Sequence, residues 1–103
     1  MADKPLNLSD RIAKQIAQIA KDSVKIDLEI LEFLKEDYEE IRRIAKEERI
    51  SPAKLMGTIL EGIKKGLIEG GIVSIEMIKN ILNASKTELE ALESRRSNKN
   101  KRK

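Results

Sequence analysis

Apolar residues recur along this chain at spacings of three and four, the period of helices. Ile12, Ile16 and Ile19, with Leu8 and Ala20 adjoining, line one face, while Arg11, Lys14, Gln15, Gln18 and Lys21 line the other. Ser9 can act as N-cap, and Asp10 places a carboxylate at the positive helix end. The pattern predicts a first helix over about 9–22 and leaves 1–8, with Pro5, as a flexible leader.

The following segment supports two readings. Val24, Ile26, Leu28 and Ile30 alternate with Lys25, Asp27 and Glu29, as in a half-buried strand. At about 100° per residue, however, Ile26, Ile30, Phe33, Leu34, Tyr38, Ile41, Ile44 and Ala45 share half a helical wheel. Lys25, Glu29, Glu32, Glu36, Glu39, Glu40, Arg43 and Lys46 fill the other half, and only Asp27, Asp37 and Glu48 intrude on the apolar side. The alternation fails at Ile30-Leu31 and the helical pattern does not, so a long helix is expected over about 24–48. Asp22-Ser23 joins it to the first helix, kinks it, or separates the two.

Ser51-Pro52 starts another helix, with serine as N-cap and proline where its missing N–H costs little. Leu55, Met56, Ile59, Leu60, Ile63 and Leu67 form its stripe, with Gly62 and Gly66 alongside, and Gly70-Gly71 closes it. Each interior glycine costs about 1 kcal/mol against alanine, which close approach of a neighbouring helix would offset. Ser74 can cap a short helix over about 74–83, and Ser85 with Glu88 has the spacing of a capping box for a last one over about 86–94. The expected fold class is all-α. It is a small bundle of four to five helices over 9–94, one of them long, followed by a disordered basic tail over 95–103.

A 25-residue helix is about 37 Å long. A compact domain of about 100 residues has a radius of gyration near 13 Å, so the long helix spans or overhangs it. Its apolar half-wheel exceeds what one partner helix easily buries. Self-association is therefore expected, as a homodimer through Ile30, Leu34, Tyr38 and Ile41.

Composition narrows the chemistry. The 103 residues suffice for one domain. Phe33 and Tyr38 are the only aromatics, so the core is aliphatic. Charged residues reach 38%, and the Ile, Lys and Glu enrichment without Cys or His has a thermophile-like character. Without cysteine there is no disulfide and no thiolate metal site. No apolar run approaches the about 18 residues of a membrane span, and residues 1–8 have no signal-peptide core, so a cytoplasmic location is expected.

No histidine, cysteine or serine–base pair offers catalysis, and Glu29, Glu32, Glu36, Glu39 and Glu40 lie on a polar helix face. The glycines lack the lysine and serine or threonine that end a phosphate loop. No enzyme activity, metal or cofactor is expected.

Two segments resemble DNA-binding modules. Tyr38 to Ile63, with Glu39-Glu40-Ile41-Arg42-Arg43-Ile44-Ala45 before Ile50-Ser51-Pro52-Ala53-Lys54-Leu55-Met56, resembles the two helices of ribbon-helix-helix repressors. The resemblance covers about a quarter of the chain and implies a groove-reading strand just before the first helix. Glu29, Ile30, Leu31, Glu32 and Phe33 stand there instead, without a basic residue. Ile78 to Glu93 has the rhythm of a helix-turn-helix with Asn83 at the turn. Its second helix carries Glu88, Glu90 and Glu93 against Lys86, which suits a helical hairpin better than DNA reading.

Net charge is +3, yet the last nine residues hold Arg95, Arg96, Lys99, Lys101, Arg102 and Lys103 and no acid. The rest keeps 15 basic against 18 acidic residues, a body of −3. A basic cluster after a domain is the electrostatic signature of nucleic-acid or anionic-surface binding, with an anionic membrane or an acidic protein as the other partners; on nucleic acid, without an aromatic, it would grip phosphate independently of sequence. The expected function is a small nucleic-acid-binding accessory or regulatory protein using these six cations. The alternative is a structural or adaptor protein that docks an unidentified protein through its amphipathic helices.

Overall fold

A computed structural model describes the backbone of residues 6–101 and the side chains of residues 6–97. It contains four helices, α1 (Leu8–Asp22), α2 (Ile26–Glu47), α3 (Pro52–Glu69) and α4 (Ile75–Lys101), and no strand among the described residues. The all-α expectation holds. The alternation at Lys25 to Ile30 belongs to the start of α2, and Glu29 to Phe33, where a ribbon-helix-helix repressor has its strand, are helical.

α1 starts earlier than expected. Asn7, not Ser9, is its N-cap, and Asn7 Oδ1 accepts the Asp10 N–H at 2.8 Å. The Leu8 N–H donates to Glu48 Oε1 at 3.0 Å, so one acid that intruded on the apolar half-wheel caps the neighbouring helix. Leu8 is only 1% exposed and is part of the core rather than of a leader; residues 1–5 lie outside the described residues. Ser23 to Lys25 separate α1 from α2.

α2 and α3 end alike. The Ile50 N–H bonds Ala45 O and the Arg49 N–H bonds Lys46 O, while Ile72 and Gly71 make the same bonds to Leu67 and Ile68. This Schellman closure needs a left-handed residue, supplied by Gly71 (φ 97°) and by Arg49 (φ 61°).

α4 corrects the sequence reading most. The expected helices over 74–83 and 86–94 are one helix of 27 residues, without a turn at Asn83. Ser85 opens no helix. Its side chain is fully buried in the stripe formed by Ile78, Ile81 and Leu89, and its hydroxyl has no partner. The helix-turn-helix rhythm therefore describes no hairpin.

The helices form two antiparallel pairs, α1 with α2 and α3 with α4, stacked so that α1 packs on α3 and α2 on α4. Gly62 faces Ser9 and Ile12, Gly66 faces Ala13 and Ile16, and Gly70 faces Ala17 and Ala20. These positions ascend together, so α1 and α3 run in the same direction. A methyl at Gly66 would lie 2.5 Å from Ala13 O and 2.6 Å from Ile16 Cβ, the close approach expected to offset the glycines' helix penalty. Tyr38 with Glu93 and Glu39 with Arg96 show that α2 and α4 also run together.

This stacking explains the residues expected at a dimer interface. Ile30 and Leu34 are 0% exposed, Ile41 3% and Tyr38 6%, all within one chain. The wide apolar face of α2 has two neighbours within the chain, α1 and α4.

Candidate nucleic-acid interface

Because α2 and α4 run in the same direction, their C-terminal halves share one end of the molecule. There the basic run over 95–103 begins as part of α4, not after it. Arg95 and Arg96 stand on the helix, and the α4 backbone continues to Lys101. Arg102 and Lys103 lie outside the described residues, as do the side chains of Lys99 and Lys101.

The Arg96 Nε donates to Glu39 Oε2 at 3.0 Å, across to α2. Arg95 lies 3.7 Å from Glu88 Oε2, one side of its own helix. One turn below Arg96, Glu93 Oε1 accepts the Tyr38 hydroxyl at 2.5 Å and Arg42 Nη1 at 2.7 Å. The Arg42 guanidinium lies 5.9 Å from the Tyr38 ring centroid. Burial, reinforced by the hydrogen bond to Glu93, pushes the Tyr38 hydroxyl pKa up, because the phenolate would lose water and face a carboxylate.

Arg42, Arg43, Lys46, Arg96 and Glu39 line a cleft of about 200 Å³ between the two helices. Arg43 is paired along its own helix with Glu40 and Glu47. Its hydrogen bond holds the Glu40 carboxyl below the ordinary range. Lys46 has no ion-pair partner among the described residues. The sequence assigned the body no basic face. The missing signal was the register of α2 against α4, which sets Arg42 and Lys46 beside Arg96.

The opposite end differs in character. The Ser23–Lys25 and Gly70–Ser74 connections lie there together, and Val24 (98% exposed), Val73 (90%) and Ile75 (71%) project into solvent. Beside them a cleft of about 440 Å³ opens between the first turns of α2 and α4, lined by Val24, Ile26, Met77 and Ile81 with Asp27 and Glu76. Each of the two acids sits in a first helical turn, where it complements the helix dipole.

Among the described residues no group of acidic side chains is arranged to hold a metal ion, and no helix is long and apolar enough to cross a membrane. No family, curated protein or solved structure matches the chain.

Proposed function

We propose that this protein is a small, non-enzymatic nucleic-acid-binding accessory or regulatory protein of the cytoplasm, which grips phosphate through the basic C-terminal segment of α4. The supporting observation is the continuity of α4, which carries Arg95 and Arg96 on an ordered helix beside α2. The six cations from Arg95 to Lys103 then begin from a fixed point on the body. Binding of this kind is electrostatic, tolerant of sequence and steeply salt-dependent. The body takes part as a single chain, since Ile30, Leu34, Tyr38 and Ile41 are used in its own core.

The adaptor reading is favoured by a different observation, the exposed apolar end at Val24, Val73 and Ile75. A gel-shift assay with duplex DNA and with single-stranded RNA, at about 50 and 200 mM salt, separates the two. Retardation at the lower salt that fades at the higher supports nucleic-acid binding. No retardation at either leaves the adaptor reading ahead.

A further inference from the structure

We infer that the cleft between the C-terminal halves of α2 and α4 seats a backbone phosphate of the bound duplex, so that the folded body, and not the basic segment alone, contacts nucleic acid. The inference rests on the nucleic-acid reading and deepens it. Four of the five residues lining the cleft are cations, Arg42, Arg43 and Lys46 from α2 and Arg96 from α4. Arginine's planar donor fork and lysine's compact charge are the usual phosphate partners, and here both are present around one concavity.

The carboxylates nearby do not close the site. Glu39, Glu40 and Glu47 are 72%, 56% and 63% exposed, and exposed ion pairs contribute little net stability. An incoming phosphate therefore exchanges one weak partner for another at Arg43 and Arg96, and gains Lys46. Arg42 is the exception. Its side chain is 23% exposed and stays on Glu93 and the Tyr38 ring, fixing the wall of the cleft.

The same arrangement argues for a nucleic-acid backbone over a lipid surface. Cations that bind membranes work beside apolar side chains that insert among the lipids. Here Val24, Val73 and Ile75 lie at the far end of α2, about 30 Å from Lys46 along the helix axis. The cleft instead includes Arg96, and the sequence after Arg96 carries Lys99, Lys101, Arg102 and Lys103, which suits a ligand with phosphates at regular intervals.

The test compares fluorescence anisotropy of a labelled 12-base-pair duplex with the wild-type chain and with Arg43→Gln/Lys46→Gln. Both positions are exposed, so unchanged helicity and melting confirm an intact fold. At about 50 mM salt the double variant should bind at least about tenfold more weakly, with a slope of log K against log salt shallower by about 0.9, the share of one phosphate. Arg43→Lys/Lys46→Arg, which keeps both charges, should restore binding. A double variant with unchanged affinity and slope overturns the inference while leaving the basic segment as the contact. A wild-type chain that fails to bind the duplex overturns the inference, and one that also fails to bind single-stranded RNA, or binds only phosphatidylserine vesicles, overturns the proposed function with it.

Discussion

Gly66→Ala probes one of the closest approaches between α1 and α3. A methyl group there meets Ala13 O at 2.5 Å and Ile16 Cβ at 2.6 Å, where carbon contacts prefer about 3.5–4.0 Å. Neither obstacle can swing aside, because one is backbone and the other the branch point of a buried side chain. α1 must retreat by about 1 Å, opening a seam that also holds Gly62 and Gly70. Alanine gains about 1 kcal/mol of helix propensity over glycine, and overpacking of this kind costs about 1–3 kcal/mol, at the upper end for an immovable wall. The net expectation is a loss of about 1–2 kcal/mol, or about 4–8 °C in Tm per kcal/mol for a domain of this size. Gly57→Ala is the control. It lies in the same helix with no heavy atom within 4 Å of the added methyl, so it should raise Tm. Thermal unfolding followed by circular dichroism reads both. If Gly66→Ala stabilises the chain as Gly57→Ala does, the α1–α3 packing described above is wrong.

Three further outcomes follow from the same structure. Arg49→Gly relieves a left-handed backbone on an exposed residue and should stabilise by about 1 kcal/mol in urea unfolding, whereas a loss would show that the Arg49 side chain holds the α2 terminus. Leu34→Ala should cost about 2–5 kcal/mol with a midpoint independent of protein concentration, because Leu34 is buried within one chain; a midpoint that moves with concentration would return it to an intermolecular interface. Tyr38, the sole tyrosine, should ionise above its usual value near pH 10, measured by absorbance at alkaline pH. Since its folded pKa is raised, the folded state holds the proton longer than the unfolded one, and stability should fall as pH rises above about 10. A titration at or below the ordinary value would remove the buried link to Glu93.

Much of the fold was legible because local rules and packing agree. Ser51-Pro52 marked the start of α3, and the half-wheel from Ile26 to Ala45 decided helix over strand. The paired interior glycines announced a close neighbour without saying which. Elsewhere local signals and packing diverge. Asn83 and Ser85 looked like a break, yet Asn83 is merely solvated and Ser85 occupies a core position that leucine or isoleucine would normally fill. Asn7 and Ser9 offer the same capping chemistry two residues apart, and the helix uses Asn7, which brings Leu8 inside α1 and into the core. The apolar width of α2 was real, but a wheel cannot distinguish two neighbours in one chain from one neighbour in another. At the candidate site the basic run was plain, whereas the cleft was invisible. Its arginines stand among glutamates that cancel them in any local count, and Arg96 is fifty residues from Lys46.

We propose above all that the basic C-terminal segment carries nucleic-acid affinity. The most direct measurement is duplex binding by a full-length variant in which Arg95, Arg96, Lys99, Lys101, Arg102 and Lys103 are all glutamine, compared with the wild type across salt concentrations. Glutamine favours helix nearly as well as lysine or arginine, so α4 should persist. If about five or six phosphates are neutralised, the wild type should show a log K against log salt slope of about −4.5 to −5.4. The variant, with its −3 body exposed to phosphate, should show no binding at about 50 mM salt. A variant that binds as tightly as the wild type, with the same slope, would contradict the claim and move the interface elsewhere on the helices.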